Sequence, residues 1–343
     1  MIVSDLRTRT SAVEVRDHAL AALHGLALGD ALGMPTQSMS RAQILADYGR
    51  VTGFVDAGPR QRIAAGMVAG SITDDTEQAL LIAQLLIEGR GTIHADAFAA
   101  RLLEWERRMK RKGSFDLLGP STKAALERLQ QGVSPEEAGR WGTTNGAAMR
   151  VTPVGIAMDA SDLSRFVDAV VNASELTHNT TLGIGSAAAV AAAVSVGVGG
   201  GSLDDAFDAA VAAATEGERR GHWAAGGMIS ARLQWAVPYL RGLRTDDRER
   251  ALYEVIGTSV ASQESVVAAL ALAFVAEDPW QAVCSAVNCG GDTDTVAAIA
   301  GAVIGATRGS AAWPATSIAT LERVNQLALD QVVDGLVALR ERT

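Results

Sequence analysis

The spacing of apolar residues constrains the fold of this 343-residue chain more than any other feature of its sequence. Apolar residues recur at helical intervals in nearly every segment, whereas the period-two alternation that is typical of strands is almost absent. Aromatic residues, which favour strands, make up only 4% of the chain. The sequence therefore predicts an all-α fold, in which abundant alanine and 35 glycines let helices approach closely.

The apolar spacing also predicts where the helices lie. With 48% apolar and 20% charged residues, the chain can bury a large core, and we expect one domain over residues 1–343. The predicted helices cover residues 13–32, 77–89, 94–111, 121–131, 135–140, 161–176, 180–198, 203–217, 222–240, 246–261, 264–276, 279–288, 293–306 and 316–340.

Charge and cysteine content exclude several classes of protein. A net charge of -9 and a pI near 5.1 argue against nucleic-acid binding, which needs a basic face. The basic run at residues 107–112 is short and is typical of a solvated helix end. Cys284 and Cys289 point to different faces of a predicted helix, so a disulfide is not expected. The N-terminus lacks the apolar core of a signal peptide, and we expect a cytoplasmic protein.

One stretch, residues 182–201, carries no charge over twenty residues and resembles a membrane span. It consists mainly of Ala, Gly, Ser and Val, so its hydrophobicity per residue is low. We expect a buried central helix with close-packed neighbours and no membrane partner.

Two acidic clusters lie about 220 residues apart: residues 73–76 read Thr-Asp-Asp-Thr, and residues 292–295 read Asp-Thr-Asp-Thr. Each cluster comes directly before a strongly apolar helical segment, and Gly290 and Gly291 precede the second one. Both clusters are therefore predicted to be helix N-termini.

Adjacent aspartates repel each other unless a cation or a helix dipole neutralises them. Carboxylate and hydroxyl oxygens, with no His or Cys in either cluster, suit Mg²⁺ or Mn²⁺ rather than Zn²⁺. Four aspartates could hold two ions, which would position a water and stabilise developing charge. The alternative is that each cluster only caps its helix. A cap needs a single side chain, so two clusters with two aspartates each exceed that requirement.

Four motifs occur in the order seen in ADP-ribosylglycohydrolases. They are Gly-Asp-Ala-Leu-Gly-Met-Pro at residues 29–35, the first acidic cluster at residues 73–76, Asn-Gly-Ala-Ala-Met-Arg at residues 145–150, and the second acidic cluster with its preceding Gly-Gly at residues 290–295. The resemblance spans about residues 19–307. The family includes the hydrolase that reactivates ADP-ribosylated dinitrogenase reductase. Membership implies an all-α, multi-helix bundle with a binuclear Mg²⁺ centre, Mn²⁺ in some members. It also implies cleavage between the ribose anomeric carbon and a modified side chain.

The resemblance assigns residues to that chemistry. The implied metal ligands are Thr73, Asp74, Asp75, Asp292, Asp294 and Thr295. The implied substrate-binding residues are Gly119, Ser121, Thr122, Asn145, Gly146 and His178. Asp116 matches the aspartate implicated in proton transfer, and Asp75 is the second predicted catalytic residue, among the carboxylates that stabilise an oxocarbenium-like transition state. The alternative to a catalytic role for Asp116 is that it is a turn residue. The alternative to substrate binding for His178 is that it is a structural hydrogen-bond donor.

The main departure from the family pattern is Gln37, where many members carry a glutamate. An amide cannot act as a base at neutral pH and is a weaker ligand for a hard cation than a carboxylate. The favoured hypothesis is a binuclear Mg²⁺-dependent glycohydrolase that cleaves the ribose C1 N- or O-glycosidic bond of ADP-ribosylated substrates. The alternatives are a hydrolase of small free N-ribosides such as nucleosides, and an inactive ADP-ribose-binding protein. The sequence does not assign the leaving group or the oligomeric state.

Overall fold

Eighteen α-helices form the described part of the protein, which comprises residues 10–111 and 118–342 of a computed structural model. These residues contain no β-strand, so the all-α prediction is confirmed. The helices are α1 (Ala12–Gly33), α2 (Arg41–Tyr48), α3 (Asp74–Glu88), α4 (Ala95–Arg111), α5 (Pro120–Gln130), α6 (Pro135–Ala138), α7 (Gly146–Met149), α8 (Thr152–Ala157), α9 (Leu163–His178), α10 (Thr181–Val198), α11 (Leu203–Gly217), α12 (Ile229–Arg241), α13 (Thr245–Ala251), α14 (Ser262–Phe274), α15 (Pro279–Asn288), α16 (Thr293–Arg308), α17 (Ala315–Asn325) and α18 (Leu329–Arg340).

Two of the predicted helices are altered by a turn or by a tertiary contact. The helix predicted over residues 316–340 is two helices, because Gln326 adopts a left-handed conformation with φ of 54° and turns the chain between α17 and α18. The helix predicted over residues 222–240 begins only at Ile229. The residues before it run along the start of α10, where the His222 N–H donates to the carbonyl of Asn179 at 2.9 Å. A tertiary contact therefore replaces the first helical turns.

The other differences concern short or irregular segments. Helices α2, α7 and α8 were not predicted, since four to eight residues give too few turns for a periodic pattern to stand out. The helix predicted over residues 246–261 ends early: α13 continues as a π-helical turn over Leu252–Ile256, and Gly257 then ends it with φ of 92°. These segments are decided by local geometry more than by apolar spacing.

Helix α10 is the centre of the molecule. It is long and apolar enough to cross a membrane by length and composition, with a mean hydropathy of 1.8, but 94% of it is buried inside the protein. It packs against α8, α11 and α16, and nearly all of its side chains are Ala, Val, Gly or Ser. The prediction of a buried central helix is confirmed.

A row of glycines brings α1 against α16. Gly25, Gly29 and Gly33 are four residues apart and share one face of α1. A Cβ atom on Gly29 would lie 2.1 Å from the carbonyl oxygen of Ala297, and one on Gly33 would lie 2.3 Å from the Cα of Asp294. The two backbones are therefore in direct contact, and this contact places the start of α16 beside the end of α1.

Candidate metal centre and substrate cavity

The two acidic clusters meet in space. The hydroxyl of Thr295 donates to Oδ2 of Asp75 at 3.3 Å, although these residues are 220 positions apart. Asp74 and Asp75 are the first two residues of α3, and Asp294 and Thr295 lie in the first turn of α16. Two helix N-termini thus face each other with their carboxylates between them.

The turn before α16 is held by backbone hydrogen bonds. Gly290 and Gly291 have φ of 84° and 83°, a region that side chains disfavour. The N–H of Gly291 donates to the carbonyl of Met39 at 2.9 Å, and the N–H of Asp292 donates to the carbonyl of Thr258 at 2.7 Å. The position of Asp292 is therefore set by two separate segments of the chain.

Helix α3 is capped from another helix. The carboxylate of Asp30, in α1, accepts hydrogen bonds from the N–H and hydroxyl groups of both Thr73 and Thr76, at 2.5–3.1 Å. The side chains at the N-cap positions, Thr73 for α3 and Asp292 for α16, make no capping hydrogen bond. The cap of α3 is thus supplied by Asp30 and not by the N-cap residue Thr73.

Burial makes this concentration of negative charge unfavourable. It raises the pKa of Asp75 well above its ordinary value, and the charge of Asp294 raises it further. Burial likewise raises the pKa of Asp294, with Asp292 adding to the effect, and that of Asp74, with Asp30 adding to it. Within residues 10–111 and 118–342, these aspartates form no ion pair with an arginine or lysine.

Two carboxylate oxygens point into this centre without a partner. Oδ1 of Asp75 and Oδ1 of Asp294 are buried and have no hydrogen bond. Such oxygens are costly unless a proton or a cation satisfies them. The donor set is entirely oxygen, which fits a hard divalent cation. In the described residues no three His, Cys, Asp or Glu side chains lie at the spacing of metal ligands.

The carboxylates form one end of a cavity of about 310 Å³. The cavity is lined by Gln37, Ser38, Ile63, Asp74, Asp75, Leu118, Gly119, Pro120, Thr122, Lys123, Thr144, Asn145, Gly146, Met149, Val260, Asp292, Asp294 and Thr295. Its lining combines the start of α3, the start of α5, the segment before α7 and the start of α16. A cavity of this size accommodates part of a small ligand.

Most of the residues assigned by resemblance line this cavity: the four clustered aspartates, Thr295 and four of the six substrate-binding residues. Asn145 additionally positions a carboxylate, since its amide Nδ2 donates to Oδ2 of Asp292 at 2.5 Å and to the hydroxyl of Ser265 at 2.9 Å. The assigned roles themselves stay predictions.

Three assigned residues lie behind the lining, and one lies outside the described residues. Thr73 faces Asp30, and the Ser121 hydroxyl accepts from the N–H of Thr144 at 3.4 Å. His178 is fully buried, with both ring nitrogens held by threonine hydroxyls. Asp116 lies outside the described residues, so its proposed proton transfer stays a prediction.

Several site residues were not assigned from the sequence. Asp30 lies within the motif at residues 29–35, where its place beside Gly29 was the available signal. Lys123 and Thr144 line the cavity next to residues that were assigned. Gln37 also lines it, so the amide that replaces the family glutamate lies in the same cavity as the carboxylates. Its Nε2 donates to the carbonyl of Met34 at 3.3 Å.

Comparison with known proteins gives consistent results. The family model described as ADP-ribosylglycohydrolase matches residues 11–343. The uncharacterized protein YegU of Escherichia coli (strain K12) is 34% identical over 328 residues, which cover 95% of this chain and 98% of that protein. The ADP-ribosyl-(dinitrogen reductase) glycohydrolase of Rhodospirillum rubrum is 27% identical over 327 residues, covering 95% and 97%. A solved structure described as an ADP-ribosylglycohydrolase-related protein complex has the same fold, with a TM-score of 0.66, 24% identity and coverage of 96% and 99%.

Proposed function

Because the chain belongs to the ADP-ribosylglycohydrolase family and is a hydrolase of glycosyl bonds, we propose that it cleaves the ribose C1 bond of ADP-ribosylated substrates with two bound Mg²⁺ or Mn²⁺ ions. The bond is an N- or O-glycosidic bond to the modified group. The reaction takes place in the cavity bounded by Asp74, Asp75, Asp292 and Asp294.

One observation carries the metal-dependent part of this proposal. Oδ1 of Asp75 and Oδ1 of Asp294 have no hydrogen-bond partner, whereas both carboxylate oxygens of the nearby Asp30 accept hydrogen bonds from Thr73 and Thr76. A fold that caps α3 with one aspartate and leaves one buried oxygen on each of two further carboxylates without a partner is arranged to receive positive charge. The ions would be held by the oxygens of Asp74, Asp75, Asp292, Asp294 and Thr295. When bound, they supply charge stabilisation and lower the pKa of a water molecule.

The chain's own groups account for the remaining chemistry. Hydrolysis forms a bond between a water oxygen and ribose C1, breaks the bond from C1 to the leaving group, and transfers a proton from the water to that group. Carboxylates beside C1 stabilise the positive charge that develops on the sugar. Asn145 keeps Asp292 in position through its 2.5 Å hydrogen bond. Asp116 stays the predicted proton donor and acceptor.

A second candidate is a hydrolase of small free N-ribosides such as nucleosides. Gln37 favours it, since this neutral amide lines the cavity where a glutamate is expected for the protein-linked substrate. The same feature is consistent with an ADP-ribose-binding protein that lacks turnover. The three hypotheses differ in which compounds are bound and which are cleaved.

The experiment is a product assay on a panel of ADP-ribosyl-arginine, ADP-ribosyl-serine and free nucleosides, with Mg²⁺, with Mn²⁺ and with a chelator. We expect the wild-type protein to release ADP-ribose only with a cation. Asp74→Ala and Asp292→Ala should lose turnover, whereas Asp208→Ala, at an exposed position on α11, should keep it. Turnover in the chelated sample contradicts the metal requirement. Nucleoside cleavage alone establishes the second candidate, and ADP-ribose binding without any product establishes the third.

A further inference from the structure

A fully buried arginine donates hydrogen bonds to two side chains, one of which contacts the predicted metal centre. Arg150 follows α7 directly and is 0% exposed. One of its terminal nitrogens, Nη1, donates to Oε1 of Gln78 at 3.0 Å, and the other, Nη2, donates to the hydroxyl of Thr177 at 2.5 Å. Burial lowers its pKa to about 9, and the charge of Asp74 opposes this, so the guanidinium is charged at neutral pH. An arginine can only donate hydrogen bonds, and it therefore fixes the direction of both contacts.

The first branch leads to the metal centre. Since Arg150 must donate to the Gln78 oxygen, the amide nitrogen of Gln78 faces the other way. That nitrogen donates to Oδ2 of Asp74 at 3.3 Å. The side-chain rotamer of Asp74, a predicted metal ligand, is thus held by the buried guanidinium of Arg150 acting through Gln78.

The second branch leads to Thr144, which lines the cavity. The Thr177 oxygen accepts from Arg150, and its own proton points toward Nδ1 of His178, 2.7 Å away, when that nitrogen is the acceptor. The histidine is neutral, because burial and the charge of Arg150 lower its pKa well below the ordinary value. In the tautomer with Nδ1 accepting, the ring proton is on Nε2, which lies 2.9 Å from the hydroxyl oxygen of Thr144; the opposite tautomer reverses both contacts.

The end of this branch is a cavity wall. Thr144 lines the cavity, and with the ring proton on Nε2 its oxygen accepts from His178. In that tautomer, no hydrogen bond among the described residues uses the Thr144 hydroxyl proton. That proton is available to an oxygen atom of a bound ligand.

We propose that Thr144 binds the substrate as a hydrogen-bond donor to a hydroxyl or phosphate oxygen of the ribosyl group, and that Arg150 is the positioning residue that sets this direction through Thr177 and His178. The proposal deepens the proposed function and rests on it. It predicts a defined tautomer of His178, which does not depend on any substrate.

The tautomer is tested by ¹⁵N–¹H correlation spectra of histidine-labelled protein, with His178 assigned by the signal lost in His178→Gln. The Nε2-protonated tautomer is expected in the wild type and in Thr177→Ser, which keeps the hydroxyl. Thr177→Val removes it and should give a mixture of tautomers. A wild-type His178 protonated on Nδ1 overturns the proposal.

The binding role is tested by calorimetric titration with ADP-ribose in the presence of Mg²⁺. Thr144→Val should weaken binding about threefold to tenfold, the range for one lost hydrogen bond, while Thr144→Ser should bind like the wild type. Thr177→Val should weaken binding in the same direction without touching the ligand. Thr215→Val, an exposed threonine on α11, is the matched control and should have no effect.

These outcomes separate the two proposals. Equal binding by the wild type and Thr144→Val overturns the role of Thr144 even when the protein is an active hydrolase. A wild type that neither binds ADP-ribose nor cleaves any riboside overturns the proposed function and the role of Thr144 with it. In that case the tautomer of His178 still decides whether Arg150 directs this chain of hydrogen bonds.

Discussion

The carboxylate of Asp30 accepts hydrogen bonds from both the backbone N–H and the hydroxyl of Thr76, at 3.1 and 2.5 Å. It binds Thr73 in the same way, so a single side chain of α1 caps the start of α3. This arrangement leaves the neighbouring aspartates available for a ligand, and it makes the stability of the site depend on one buried residue.

Replacing Asp30 with alanine should therefore destabilise the protein strongly. The substitution leaves two buried backbone N–H groups and two hydroxyls without acceptors, and we expect a loss of about 3 kcal/mol or more in the free energy of unfolding. Urea unfolding of Asp30→Ala, with Asp208→Ala measured beside it, gives this loss in the free energy of unfolding. An unfolding midpoint equal to that of the wild type contradicts the capping role.

Asp75→Asn should stabilise the cation-free protein while it abolishes turnover. In the absence of a cation, Asp75 is a buried carboxylate beside Asp294 with one unpaired oxygen, and removing its charge relieves repulsion. We expect a gain of about 1 to 2 kcal/mol in the free energy of unfolding. Thermal unfolding in chelator provides the measurement, with Asp208→Asn as control. A less stable Asp75→Asn protein is evidence that the wild-type carboxylate is already satisfied.

His178 should make the protein less stable at acidic pH. Its pKa in the folded protein is lowered well below 6.5, so the folded state binds fewer protons than the unfolded state once the pH falls below that value. The stabilising contribution is therefore complete above pH 6.5 and decreases on acidification, by up to about 1.4 kcal/mol per pH unit. Unfolding between pH 7.5 and 5.5 should show a shallower pH slope for His178→Gln than for the wild type. Identical slopes contradict a buried neutral histidine.

Gln37→Glu should increase affinity for divalent cations. Gln37 lines the same cavity as Asp74, Asp75 and Asp292, so the substitution adds a charged oxygen ligand to the site. We expect Mg²⁺ and Mn²⁺ to bind on the order of tenfold more tightly, because affinity follows the number of charged ligands. Calorimetric titration of the wild type and the variant measures their affinities for the two cations. Gln61→Glu is a useful second variant, since Gln61 is buried but lies outside the cavity lining. Unchanged affinity places residue 37 outside the coordination sphere.

Gly29→Ala should disrupt the contact between α1 and α16. The added Cβ would lie 2.1 Å from the carbonyl oxygen of Ala297, and backbone atoms cannot move aside cheaply. We expect a loss of about 3 kcal/mol, at the upper end for overpacking, together with weaker cation binding as the start of α16 shifts. Gly53→Ala is the matched control, because its Cβ would meet nothing within 4 Å. Equal melting temperatures for the two variants contradict the close packing.

Much of the fold was predictable because the relevant information is local. The apolar spacing of residues 181–198 and the caps at Ser11 and Ser202 act within a few residues of the helices they define. The same locality explains the errors. Residues 316–340 have helical spacing throughout, and only the left-handed turn at Gln326 divides them. Residues 222–228 leave the helical pattern because they bind the start of α10 instead.

For the site, the sequence by itself determined which residue types are present: two acidic clusters at helix starts, without His or Cys, which restricts a bound metal to hard cations. Only the tertiary structure decided that Thr295 meets Asp75, that Asp30 rather than Asp74 or Asp75 caps α3, and that Arg150 donates hydrogen bonds to Gln78 and Thr177. These relationships join residues far apart in the chain. Burial determines how strong these interactions are. No local sequence pattern specifies which distant groups become neighbours.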